Sequence, residues 1–225
     1  MTWTDRSPAR TNPDVEESYR LMRGRIDLTR LPKLSRDVTE RVIYASADFD
    51  YYTDLVCDED ALADGVAALA AGAAVVVDTV MVAAGITASP VLCKVNEPLT
   101  QRLARTAGIS RAAAAVRLAF GEAGPGAVWI VGGAAAALEE ILRREVEPAF
   151  VIGLPAGFVG AAAAKDALRA SDLRSLTNVS EKGGPAVAVA AFAALLHAAR
   201  EVTGSRAGWG PGETGPLADD EGAGW

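Results

Sequence analysis

The stretch R-V-I-Y-A-S-A-D-F-D-Y-Y, Arg41 to Tyr52, gathers three of the chain's four tyrosines beside two aspartates and an arginine. Such residues can donate protons, hold cations and stack, yet the stretch contains no histidine. The chain has one histidine, His197, so imidazole acid–base chemistry near neutral pH has a single seat. That seat is the helical pattern A-A-L-L-H-A-A-R-E, where a satisfied or half-exposed histidine is the ordinary outcome. No G-x-S-x-G elbow, H-E-x-x-H or histidine-based triad can be assembled. Cys57 and Cys93 are the only cysteines, with no C-x-x-C, so neither a metal site nor a disulfide framework is expected.

Cations recur beside glycines. G-L-P-A-G-F-V-G places glycines at 153, 157 and 160, with Lys165 a turn into the next helix. The spacing is neither the dinucleotide G-x-G-x-x-G nor a P-loop. Such a loop offers N–H groups and a helix start to an anion, and it also serves as a plain tight turn. E-K-G-G-P sets Lys182 before Gly183 and Gly184 at another helix start. S-R-A-A-A-A puts Arg111 behind a capping Ser110, where a cation opposes the helix dipole. Arg111 reads either as a ligand contact or as a solvated arginine, and Arg20, Arg23 and Arg25 read as a solvated face.

The elements that must position these residues are legible in outline. E-S-Y-R-L-M-R-G-R-I and S-R-D-V-T-E-R-V-I-Y-A carry apolar residues at helical spacing, the second with Ser35 as cap. Asp58 caps a third helix ended by Gly72, and Asn96 caps another ended by Gly108. Strands are expected at 74–77, 91–95, 127–131, 149–153 and 175–179. Repeated strand, glycine loop and helix predict an α/β fold, a three-layer sandwich around a mainly parallel five-stranded sheet in a single domain. Ligands in such sheets bind beyond the strand carboxyl ends. Asp78, Gly133, Gly157, Lys182 and Gly183 all fall at that edge.

Composition bounds the function. The formal charge is −7 and no basic footprint stands out, so a nucleic-acid partner is not expected. The N-terminus lacks an apolar leader and the run Ala67–Val77 is about half a membrane span, so no membrane partner is expected and a cytoplasmic location is. The ends, 1–13 and 203–225, are rich in Gly, Pro and charge and read as disordered, Trp209 and Trp225 included. The folded domain is expected at 14–202.

Taken together, the landmarks resemble the precorrin-8X (cobalt-precorrin-8) methylmutase family. The matching text runs through E-S-Y-R-L-M-R, I-D-L-T-R-L-P, R-V-I-Y-A-S-A-D-F-D-Y, D-T-V-M-V-A-A-G-I, G-I-S-R-A-A-A-A, V-I-G-L-P-A-G-F-V-G-A-A-x-x-K-D-A-L and K-G-G, in order, over about 14–202. The resemblance implies a homodimer, no cofactor, and a tetrapyrrole substrate with several carboxylates, precorrin-8X or cobalt-precorrin-8. The reaction it implies moves a methyl group from C-11 to C-12 of the macrocycle, giving hydrogenobyrinate. It also implies substrate contacts from Ser18, Arg23, Asp78, Ser110, Arg111, Gly133, Gly157, Lys165, Lys182 and Gly183.

Family members resemble R-x-I-H-A-T-x-D-F where this chain has Arg41–Phe49, and their histidine is held to protonate the ring system. Tyr44 stands at that position. A phenol is the weaker acid, with a reference pKa near 10 against about 6.5 for imidazole. Further departures fall at Val80, at Gly133 to Ala136, and at Ser180 and Glu181. The resemblance therefore implies a methylmutase with Tyr44 as the catalytic residue, or a non-catalytic corrinoid-binding relative.

Overall fold

The computed structural model describes residues 13–144 and 146–204. The chain opens with α1 (Pro13–Arg23), α2 (Lys33–Ser46) and the single turn α3 (Tyr51–Asp54), then β1 (Leu55–Cys57) and α4 (Glu59–Ala70). β2 (Val75–Val77), α5 (Val80–Gly85), α6 (Pro98–Ala107), α7 (Arg111–Ala123) and β3 (Val128–Val131) follow. Three strand–helix repeats close the chain: β3 with α8 (Ala135–Arg144), β4 (Phe150–Gly153) with α9 (Ala161–Arg169), and β5 (Ser175–Asn178) with α10 (Pro185–Val202).

The five strands lie in the order β1-β5-β4-β3-β2. β2, β3, β4 and β5 run parallel, and β1 is antiparallel to β5, with Leu55 opposite Asn178 and Cys57 opposite Leu176. Successive strand residues point to opposite faces, so each strand feeds two cores. Val75, Val77, Ile130, Phe150 and Ile152 join α2, α4 and α10 on one face. Val76, Trp129, Val131 and Val151 join α7, α8 and α9 on the other. The three layers follow from that division.

α10 is apolar along most of its length and packs on α2 and α4. By length and composition it is apolar enough to cross a bilayer, yet half of it is buried inside the protein. α4 reaches the sheet closely because Gly65 has no side chain: a Cβ there would stand 2.8 Å from the Phe150 ring.

Capping follows local chemistry in part. Asp58 accepts from Ala61 N–H, and Ser110 from Ala113 N–H, as expected of N-caps. Ser35 does not cap α2, which begins two residues earlier at Lys33; its hydroxyl donates to Glu59, whose carboxylate also accepts from the Leu34 and Ser35 N–H groups. Asn96 gives way to Glu97 as the residue before α6, since Pro98 takes the first helical position.

One strand expectation needs correction. Residues 91–95 form no strand: Leu92 makes an isolated parallel bridge to Val76, after which the chain turns, Thr100 Oγ1 and Glu97 N–H both donating to the Lys94 carbonyl. The fifth strand is instead β1, three residues long at the opposite edge and too short for an alternating pattern to show. Most of the two ends expected to be disordered lies outside the described residues, Trp209 and Trp225 included; Pro13, taken as part of one, opens α1.

Candidate active site

The parallel strands bring the turns after β2, β3, β4 and β5 to one edge, and α7 also starts there because it leads down to β3. α2 reaches the same edge at its carboxyl end. There the Tyr44 ring stacks on Tyr19 of α1, centroids 4.5 Å apart and planes 4° from parallel. The Arg23 guanidinium lies 5.6 Å from the Tyr19 ring centre and pairs with Glu40 through Nε at 2.5 Å and a second nitrogen at 3.0 Å. Pairing of 19 with 44 and of 23 with 40 makes α1 antiparallel to α2 and brings Ser18 to the Tyr44 end. Ser18 is exposed, and its hydroxyl donates to the Asp14 carbonyl at 2.6 Å.

Beyond Tyr44 the stretch to Asp54 brackets the loop after β5. Lys182 Nζ donates to Asp48 at 2.7 Å and to Asp50 at 2.6 Å. These contacts raise the Lys182 pKa and lower that of Asp48. Tyr51 is buried with a backbone hydrogen bond to Gly183; burial first, then Asp48 and Asp54, pushes its hydroxyl up to about 12. Asp54 accepts from Asn178 Nδ2, from the Ser180 hydroxyl and from the Ser180 and Val179 N–H groups, at 2.7 to 3.2 Å. The loop is joined to its neighbour after β4 by Gly157 N–H to the Glu181 carbonyl at 3.0 Å and Gly184 N–H to the Leu154 carbonyl at 2.8 Å. Gly183 has φ +145° and lies hard against the Leu154 carbonyl, a position no side chain fits.

Lys165 and Asp78, expected as ligand contacts, are turned inward. Lys165 is 0% exposed, and its ammonium donates to Asn178 Oδ1 and to the Ser180 and Lys182 carbonyls. Asp78 is buried, and its carboxylate accepts from the N–H groups of Gly132, Gly133 and Ala134 at 2.8 to 3.1 Å. Burial pushes the Asp78 pKa up while those donors pull it down. The anion seat at the start of α8 is thus filled by the chain's own carboxylate, with Gly133 as part of the frame.

Ser110 and Arg111 open α7 at the same edge; Ser110 is the cap, and the Arg111 side chain is exposed. α9 and α10 start there behind Gly160 and Gly184, with no side chain capping either. Exposed apolar side chains share the edge: Val80 and Met81 after β2, Phe158 and Val159 after β4, and Val179 after β5. Among the described residues no three metal-ligating side chains stand together. Sequence reasoning noted Asp48 and Asp50 within Arg41–Tyr52 and Ser180 as a departure, but it missed Asp54 and Asn178 and the meeting of all five around one loop.

The fold is that of a three-layer α/β protein whose parallel strand ends carry glycine loops and the uncapped starts of α9 and α10. The chain belongs to the precorrin-8X methylmutase family, whose model it matches over residues 15–198. It is 34% identical to the cobalt-precorrin-8 methylmutase of Methanocaldococcus jannaschii, over 72% of this chain and 79% of that one. It is 37% identical to the precorrin-8X methylmutase of Pseudomonas aeruginosa, over 80% and 91% of the two chains. The precorrin-8X methylmutase structure from Thermus thermophilus superposes with a TM-score of 0.75 at 31% identity, covering 84% of this chain and 96% of that one.

Proposed function

We infer that this chain is an intramolecular isomerase of the precorrin-8X methylmutase type, acting in cobalamin biosynthesis. The family match over residues 15–198 carries this reading. The substrate is a tetrapyrrole with several carboxylates, precorrin-8X or cobalt-precorrin-8, and the methyl group moves from C-11 to C-12. Substrate and product are isomers, so no co-reactant is consumed and any proton lent to the ring must return.

Tyr44 lends that proton, or a hydrogen bond to a ring nitrogen. Its stacking on Tyr19 supports this role by fixing the plane of the phenol. The substrate carboxylates are held by Arg111, Lys182 and Arg23, with Ser18, Ser110, Gly157 and Gly183 lining the approach and the starts of α9 and α10 adding N–H donors. The exposed apolar side chains suit the macrocycle's flanks.

A homodimer in the cytoplasm belongs to this reading. Phe158 and Val159 are 97% and 93% exposed on the loop after β4, and apolar side chains so placed support a contact with a second copy.

The test is anaerobic incubation of the purified protein with precorrin-8X, following the visible spectrum. A corrin spectrum growing in proportion to enzyme supports the reading. A chromophore that binds and stays unchanged restores the non-catalytic binder.

A further inference from the structure

We propose that Lys165 is a positioning residue, whose buried ammonium sets the shape of the loop Ser180–Gly184 and so the wall this loop gives the substrate site. The substrate half of this statement rests on the methylmutase reading; the loop half does not.

Three acceptors surround Lys165 Nζ: Asn178 Oδ1 at 2.9 Å, the Lys182 carbonyl at 2.7 Å and the Ser180 carbonyl. An ammonium has three N–H donors and a neutral amine two, so the arrangement requires the protonated form. Asn178, also 0% exposed, turns its amide the other way, to Asp54 at 2.7 Å and the Lys182 carbonyl at 3.0 Å. Asp54 in turn fixes Ser180, and the Ser180 hydroxyl oxygen accepts from Lys182 N–H at 3.1 Å. Two carbonyls of one short loop thus converge on a single buried cation. The lysine sits on α9 and the loop follows β5, so the contact also locks the turns after β4 and β5 together.

The charges around Lys165 are Asp54 from α3, Glu181 from the loop and Arg169 from α9 itself. Lys182 adds a further cation nearby, held away by Asp48 and Asp50. From α8, Glu140 is paired with arginines and Glu139 is exposed. Burial first pushes the Lys165 pKa down to about 8 from 10.5, with Arg169 adding and Asp54 and Glu181 opposing. The ammonium, and the third donor, is therefore lost as pH rises through about 8. Because the folded pKa lies below the unfolded one, global stability rises over the same window. Loosening of the loop and tightening of the fold then run in opposite directions.

The experiment is amide hydrogen exchange on the full chain, corrected for intrinsic rates, in wild type and in Lys165→Met. The Ser180, Lys182 and Gly184 amides and the Gly157 amide that reaches Glu181 are expected to exchange about ten- to a hundredfold faster in the variant, as the loss of charge-assisted hydrogen bonds implies. Sheet amides such as those of Val151 and Ile152 should be unchanged. Wild type should show the same loop-confined loosening above pH 8, and this series stands alone if the variant does not fold. Unchanged loop exchange, or loosening spread across the sheet, overturns the proposal. With precorrin-8X, the variant should raise KM more than it lowers kcat, and an equal fall in kcat at unchanged KM overturns the substrate half. If neither protein binds the tetrapyrrole, the substrate half falls with the methylmutase reading, while the exchange result still decides the loop half.

Discussion

At the residue scale the central proposal is Tyr44 as the proton donor. A phenol paired with a stacked neighbour is held in place, and placement matters to a proton donor as much as acidity does. Tyr44→Phe keeps the ring and removes the proton; the expected result is a kcat lower by roughly 10² or more. Tyr44→His puts a stronger acid at the same place and should turn over at least as fast as wild type. Rates of chromophore conversion for the three proteins decide this. A Phe variant as fast as wild type would remove Tyr44 from the chemistry.

At the scale of elements, two contacts can be tested by stability. Glu140 of α8 is fully buried, and its carboxylate meets Arg117 of α7 at 2.7 Å, Arg143 at 2.5 Å and Arg144 at 2.9 Å. Burial pushes the Glu140 pKa up, but hydrogen bonds from Arg117 and Arg144 and the nearby charges outweigh it, leaving it below the ordinary 4.5. Its stabilisation is therefore complete above pH 4.5 and lost as pH falls through the lower folded value. Glu140→Gln should cost roughly 1–3 kcal/mol at neutral pH, the half-exposed arginines keeping it below the cost of breaking a fully buried pair. The variant's melting temperature should also fall less steeply in acid than that of wild type. Gly183→Ala asks an L-residue to hold φ +145° against the Leu154 carbonyl, a strain of roughly 1–3 kcal/mol, read by denaturant unfolding. An alanine variant as stable as wild type would mean that the loop has room to move.

At the scale of the whole molecule, the charge and the apolar tips pull in different directions. The chain is acidic, which favours separation of copies, whereas the side chains of Phe158 and Val159 stand almost wholly in solvent. A dimer seated on that tip should sediment as one species at micromolar concentration. Phe158→Glu should shift it to monomer without lowering the melting temperature measured at equal dissociation. A wild-type monomer at all concentrations would leave the tip without this role.

The sequence by itself determined the layer architecture, all four parallel strands to within a residue at each end, the caps at Asp58 and Ser110, and the family. These rest on local periodicity and on short motifs, which need no partner from elsewhere in the chain. It also named Tyr44, Arg111 and Lys182 as candidates. Tertiary structure alone decided which polar groups face outward. Lys165 reads as a ligand-binding cation in the text G-A-A-A-A-K-D, and becomes an internal strut because Asn178 and two carbonyls close over it. Asp48 and Asp50 stand out in sequence only as part of the stretch Arg41–Tyr52, and with Asp54 they become the bracket of a loop more than a hundred residues away in sequence. β1 was illegible because three residues cannot show a period; β5 beside it supplies the pairing. Contacts between distant residues depend on the packing of the whole chain, and a local pattern does not encode them.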